Sequence, residues 1–218
     1  MADIFHEVDE EVRRERLQKL WDRYSIYIIG AAVLIVVAMS AWRGYVWWEG
    51  KKAAAAGAQF ESALSLSDEG KHIEADAAFA KIAAEAPAGY RILARLRAAA
   101  EVAQTKPADA VKAYDELTAD ASLGPPLQDL AAVRAGMLLV DTASLAEMQR
   151  RLDRVAQPGH AFRHSARELL ALSAWHNHDA AAARRYLDMI AADGETPAGT
   201  RTRADVLSAL IAAGSSKS

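Results

Sequence analysis

The sequence predicts an all-α protein: a single transmembrane helix followed by a divergent solenoid of helical hairpins. Three observations carry this. Residues 25–42, SIYIIGAAVLIVVAMSAW, hold no charge and are almost wholly apolar. After residue 50 alanine is abundant, β-branched residues are scarce and no stretch alternates polar with apolar, which is a helix former's composition. A small-x-x-x-large-x-x-apolar signature also recurs four times, at successive spacings of 35, 38 and 34 residues.

Residues 1–24 mix acids and cations, with Val8, Val12, Leu17, Leu20 and Trp21 at near-helical spacing. They are expected to form a cytoplasmic amphipathic leader whose main part is to supply topogenic charge. The span is placed at residues 25–47. Its 18-residue apolar run would extend about 27 Å as a helix, close to the roughly 30 Å thickness of bilayer hydrocarbon. Trp21, Tyr24 and Tyr27 lie at one end; Trp42, Arg43, Tyr45, Trp47 and Trp48 lie at the other. Aromatic rings with a polar edge favour the membrane–water interface, so two belts around one apolar run point to an anchor. A buried core helix would carry a polar face. A cleaved signal peptide would have a short basic leader and a shorter apolar core. An uncleaved signal anchor is therefore expected.

Arg13, Arg14, Arg16, Lys19 and Arg23 precede the span, whereas Arg43, Lys51 and Lys52 follow it. That bias predicts an inside N-terminus and an exported C-terminal part. Residues 48–57 read as a helical or semi-rigid stalk, residues 58–213 as the repeat domain and residues 214–218 as a frayed tail. The chain of 218 residues has room for the anchor and one domain of about 165 residues. A net charge of −3, without a basic stripe, argues against nucleic acid. The absence of cysteine excludes disulfides and thiolate metal sites.

The four signatures are Ala75/Phe79/Ile82 followed by Pro87, Ala110/Tyr114/Leu117, Met148/Leu152/Val155 followed by Pro158, and Ala182/Tyr186/Met189. Each is preceded by a second apolar helix and a turn. Phe60, Ala63, Leu64 and Leu66 lead to Glu69-Gly70-Lys71, where Gly70 suits a positive φ. Leu93, Leu96, Ala100 and Ala103 lead to Thr105-Lys106-Pro107, with Pro107 suited to a first helical turn. Leu130, Val133, Met137 and Val140 lead to residues 141–144. Leu169, Leu170, Leu172 and Trp175 lead to Asn177-His178-Asp179, with Asn177 the expected left-handed cap. Residues 198–213 place Val206, Leu207, Leu210 and Ile211 together, as in a helix that caps a stack. This pattern resembles the tetratricopeptide repeat, a helix–turn–helix of about 34 residues in which a small residue lets two helices approach and a large one fills the groove beside it. The repeats are divergent: Gly136 alone holds the glycine position of a first helix, and Arg97 stands where leucine is usual. A generic helical bundle is the other architecture compatible with this composition.

Six histidines suggest a metal protein or an enzyme, but His160/His164 and His176/His178 lack an accompanying acid at ligand spacing. No nucleophile elbow or phosphate-cradling loop is present, so no catalytic, cofactor-binding or metal residue is assigned and no enzyme is expected. Stacked hairpins instead offer a concave wall for an extended peptide or a partner helix. The repeat register assigns to it Arg91, Ala94, Ala98, Leu130, Val133, Met137, His164, Arg167, Ala171 and Trp175.

The order of leader, anchor, stalk and repeats is similar to the YfgM-like family. The likeness is carried by DIFHEVDEEVRRERLQKLWDRY before the span, WRGYVWW after it, and ARLR at residues 94–97 with the turn at residues 106–110. The resemblance implies an inner-membrane, single-pass protein with its N-terminus in the cytoplasm and a periplasmic repeat domain. It further implies an ancillary subunit of the SecYEG translocon, working with a periplasmic chaperone such as PpiD on emerging secretory chains. A scaffold for cell-envelope or cell-division complexes would use the same fold and differ only in the surface recognised.

Overall fold

The computed structural model describes the backbone of residues 3–215 and the side chains of residue 21 and residues 23–213. Among these residues it is 84% helical, with nine helices and no strand. The first helix, α1 (Asp3–Asp68), runs 66 residues without a break. No proline occurs before Pro87, and Gly70 with φ +76° provides the first left-handed stop. Leader, span and stalk are thus one helix. The side chains of Val8, Val12, Leu17 and Leu20 and the tail residues 216–218 lie outside the described residues.

The chain divides into two compact units, Met1–Ala54 and Ala55–Ser218. In the first, α1 is long and apolar enough to span a membrane, and its apolar window is wholly unburied. Tyr24, Tyr27, Trp42, Arg43, Tyr45, Trp47 and Trp48 are all exposed. The ammonium of Lys51 sits 4.2 Å from the Trp47 ring centroid and that of Lys52 sits 3.4 Å from Trp48, one helical turn away in each case. On the other side of the apolar run, Arg23 lies 6.0 Å from the Tyr24 ring.

The second unit begins at Ala55, and among the described side chains α1 first buries one at Ala56. It continues through α2 (His72–Glu85), α3 (Ala88–Thr105), α4 (Pro107–Ala119), α5 (Pro125–Leu139), α6 (Leu145–Leu152), α7 (Arg163–His176), α8 (Ala180–Ala192) and α9 (Ala198–Ser215). Its core is three local clusters. Ala63, Ala75, Phe79, Ile82 and Ala94 join α1, α2 and α3, with Phe60 edge-on to Phe79 at 5.2 Å. Ala99, Ala110, Tyr114, Leu117, Ala131 and Ala135 join α3, α4 and α5. The largest cluster runs from Ala132 through Met148, Leu152, Leu170 and Tyr186 to Ile211, joining α5 to α9. A core assembled in consecutive pieces is what a repeat stack requires, since each hairpin buries its apolar face only against its neighbours.

The first two signatures are buried in full on α2 and α4. The third is buried too, although α6 is only eight residues long and Val155 falls in the turn after it. The fourth needs correction. The buried set on α8 is Ala183, Leu187 and Ile190 with Tyr186, so the signature lies one residue later, while Ala182 and Met189 are only partly buried. The cap after α7 is likewise displaced: Asn177 keeps φ −84°, and His178 takes the left-handed conformation at φ +59°. The Asn177 side-chain amide donates to the Ser173 carbonyl at 2.8 Å and, across the hairpin junction, to the Ala143 carbonyl at 3.3 Å. Pro107 opens α4, and Ser144 caps α6 by accepting from the Glu147 amide. Gly136 has a packing reason: a Cβ there would lie 3.0 Å from Leu152 Cδ1 and 3.4 Å from Leu169 Cδ1. It lets α5 approach both α6 and α7.

Candidate protein-binding surface

Helices α3, α5 and α7 each bury two flanks and leave one stripe open, while α9 at the end of the stack buries only the stripe of Thr200, Ala204, Leu207 and Ile211. On α3 the open stripe is Leu93, Arg97, Ala100 and Gln104; on α5 it is Leu130, Arg134 and Met137, continued by Asp141. On α7 it is Glu168, Leu172 and Trp175 with His176, and on α9 it is Arg203, Val206 and Leu210. Contacts between neighbours align the stripes of α5, α7 and α9 into one face. Asp141 lies 3.5 Å from His176, tying the end of α5 to that of α7. Arg203 donates two hydrogen bonds to Glu168, tying α9 to α7. Burial pushes the Tyr114 phenol on α4 upward, with Arg134 and Arg97 acting against the shift.

Six large apolar side chains of the second unit are exposed: Ile73, Leu93, Met137, Trp175, Val206 and Leu210. Met137, Trp175, Val206 and Leu210 lie on the joined stripes of α5, α7 and α9, and Leu93 lies on the open stripe of α3. Their exposures run from 40% for Trp175 to 57% for Val206, more than a monomeric surface needs to leave uncovered in one place. Recognition surfaces take this form, with an aromatic anchor among aliphatic neighbours and a rim of guanidinium groups.

The polar groups buried behind the face serve the fold. Arg167, 3% exposed, donates to the Ala156 carbonyl (2.8 Å), the Met189 carbonyl (3.2 Å) and Asp193 Oδ2 (2.8 Å). Thr196 donates to the Ile190 carbonyl at 2.8 Å, and Arg201 donates to that of Ala191 at 3.4 Å. Three of the last four carbonyls of α8 are thus capped by side chains in place of a glycine turn. Because the Thr196 hydroxyl proton goes to Ile190, its oxygen accepts from His164 Nδ1 at 3.2 Å. Burial and the neighbouring Arg163 push His164 below the ordinary histidine range. Asp193, held by Arg163, the Glu195 amide and Arg167, stays far below the usual carboxylate range. Asp129, 1% exposed, faces His160 Nδ1 at 2.6 Å and Arg154 at 2.8 Å, while Glu101 accepts from Ser67 and pairs with His72, both at 2.7 Å. Among the described residues no group of three or more His, Cys, Asp or Glu side chains is placed to hold a metal ion.

Of the residues assigned to the wall from sequence, Met137 and Trp175 are exposed on this face and Leu130 is half-buried beside them. Arg91 is exposed, but six residues of helix turn it about 120° away from Arg97. It lies on the same side of α3 as half-buried Ala98. Ala94, Val133, His164, Arg167 and Ala171 are buried between helices, where a partner cannot touch them without unpacking the stack. These five lie on the packed side because the most apolar side of a repeat helix is the side that packs. Leu93, Arg97, Arg134, Val206 and Leu210 are exposed and were not assigned to the wall from sequence. One signal for the arginines was in view: Arg97 and Arg134 stand 37 residues apart, close to one repeat length.

Consecutive helix pairs with local cores and one open, partly apolar face define a helical-repeat protein of the kind that binds other polypeptides. The chain matches the family described as Tetratricopeptide repeat-like domain over residues 18–170, well over half its length, and it belongs to that family. Domains of this class are typically scaffolds without catalytic activity. Neither curated proteins nor solved structures gave a match.

Proposed function

We propose that this protein is a membrane-anchored scaffold whose repeat domain, on the periplasmic side of the inner membrane, binds protein partners on the open face of α5, α7 and α9. The observation that carries the reading is the exposure of Met137, Trp175, Val206 and Leu210 on the joined stripes of α5, α7 and α9. The similarity to the YfgM-like family supports a finer reading, an ancillary subunit of the Sec translocon that brings a periplasmic chaperone to emerging chains. The cation excess before the span supports an N-terminus in the cytoplasm. Anchoring confines the domain to the membrane surface and raises its effective concentration near other membrane complexes.

The test is crosslinking in living cells from a photoreactive residue at Met137 or Trp175, with Arg91 as the off-face control. Translocon or chaperone subunits captured from Met137 and Trp175, and not from Arg91, are the expected result. Capture of envelope or cell-division proteins alone would replace the translocon reading with the alternative scaffold. A reporter fused at Ser218 that proves cytoplasmic would remove the export assignment.

A further inference from the structure

Where its apolar run ends, α1 carries two files of side chains spaced one turn apart. Arg43, Trp47 and Lys51 follow one another at i, i+4 and i+8, and Gly44, Trp48 and Lys52 form the file beside them. Each lysine ammonium is folded back onto the indole one turn before it, 4.2 Å from the Trp47 centroid and 3.4 Å from that of Trp48. Both rings and both lysines are exposed. Residues 42–54 hold three cations and one acid, Glu49, whose carboxylate accepts from the Tyr45 hydroxyl at 3.3 Å. In the second file Gly44 stands where the first has Arg43. A Cβ there would meet nothing within 4 Å, which leaves an open recess between Trp48 and the span.

Resting on the reading of α1 as a membrane anchor, we propose that these two files bind the headgroup of a net-anionic phospholipid. Its phosphate lies at the Lys51 and Lys52 ammonium groups, and its glycerol and upper acyl carbons lie in the recess at Gly44. Depth favours this ligand. The headgroup layer is roughly 5–7.5 Å thick on each side of the hydrocarbon. Counted from Arg43, where the apolar run ends, the backbones of Lys51 and Lys52 lie about 12 Å or more out, beyond that layer. Trp47 and Trp48 are rooted about 6 Å out, within it. Stacking on those rings therefore draws both ammonium groups back to phosphate depth. Cations held there, over apolar ring faces, suit an anion that carries acyl chains better than one dissolved in water. Charge complementarity then selects the headgroup. A zwitterionic lipid brings an ammonium of its own, which the cation excess repels, whereas phosphatidylglycerol presents its phosphate alone.

The experiment is native mass spectrometry of the full chain released from detergent micelles that hold equal amounts of phosphatidylglycerol and phosphatidylcholine. Retained adducts are expected to favour phosphatidylglycerol by about tenfold or more. Each cation near a membrane surface is worth roughly fivefold toward an anionic lipid, so Lys51→Gln/Lys52→Gln should bring the ratio to within about twofold of parity. Trp47→Leu/Trp48→Leu keeps both cations and removes the rings that set their depth, and should lower the ratio about threefold. All four side chains are exposed, so the helical circular dichroism of both variants should match that of the parent. Equal retention of the two lipids, or an unchanged ratio in either double variant, overturns the inference. So does displacement of phosphatidylglycerol by an excess of glycerol phosphate, which would make the ligand a water-soluble phosphate. Alkaline carbonate extraction separates this from the anchor reading. A chain that stays in the membrane and shows no lipid preference loses only the headgroup site; a chain washed free of the membrane loses both.

Discussion

Arg167 offers the sharpest test of how the last repeat is held. Arg167→Met keeps an unbranched apolar stem and deletes three donated hydrogen bonds. Two of their acceptors, the carbonyls of Ala156 and Met189, are then left without this donor in a site where Arg167 is 3% exposed. Each orphaned buried acceptor costs roughly 1–3 kcal/mol, and removing one member of a buried charge network costs about 3–5 kcal/mol. Asp193 keeps Arg163 at 2.8 Å, which holds the net loss near the lower end, about 3–4 kcal/mol. For a domain of this size that is a melting shift of roughly 10 °C. The assay is thermal unfolding of the full chain in detergent, followed by circular dichroism. Arg163→Met is the control, because Arg167 remains on Asp193 and the orphaned carbonyls do not arise; about 1 kcal/mol is expected. Equal shifts for the two variants, or a shift under about 2 °C for Arg167→Met, would refute the view that Arg167 caps α8 and anchors the turn after α6.

Phe79→Ala empties a fully buried position against Phe60 and should cost about 3–5 kcal/mol in the same melt. Gly136→Leu drives a side chain into Leu152 and Leu169 and should cost about 1–3 kcal/mol; a neutral or stabilising result would mean the α5–α6 contact is looser than it looks. Acid should weaken the fold in two steps. His164 titrates lower folded than unfolded, so the unfolded chain binds the extra proton first and stability falls as pH drops below about 6.5. His164→Gln should flatten this limb in denaturation midpoints taken from pH 8 to 5. Asp193 and Asp120 are held below the usual range, Asp120 at about 2 by Ser122 and Arg95, so their contribution is present above about pH 4 and lost as pH falls toward the folded values. Asp120→Asn should remove part of that lower limb, and an identical acid profile would contradict the assignment.

The amino-acid order alone determined a helix long and apolar enough to cross a membrane, the helical class and the hairpin spacing, because each rests on local chemistry. An uncharged run of bilayer length needs no tertiary partner to be recognised, and Gly70, Pro107 and Ser144 stop or start helices through their own backbone and side-chain properties. Only the tertiary structure decided which side of each helix faces out. A repeat helix packed on two flanks leaves a narrow stripe, and one residue of register turns it by about 100°. That angle separates Ala182 from buried Ala183 and puts exposed Val206 beside buried Leu207. Arg167 shows the same division: as a cation near polar neighbours it reads as surface, yet its acceptors come from the turn after α6 and the end of α8, which folding alone brings together.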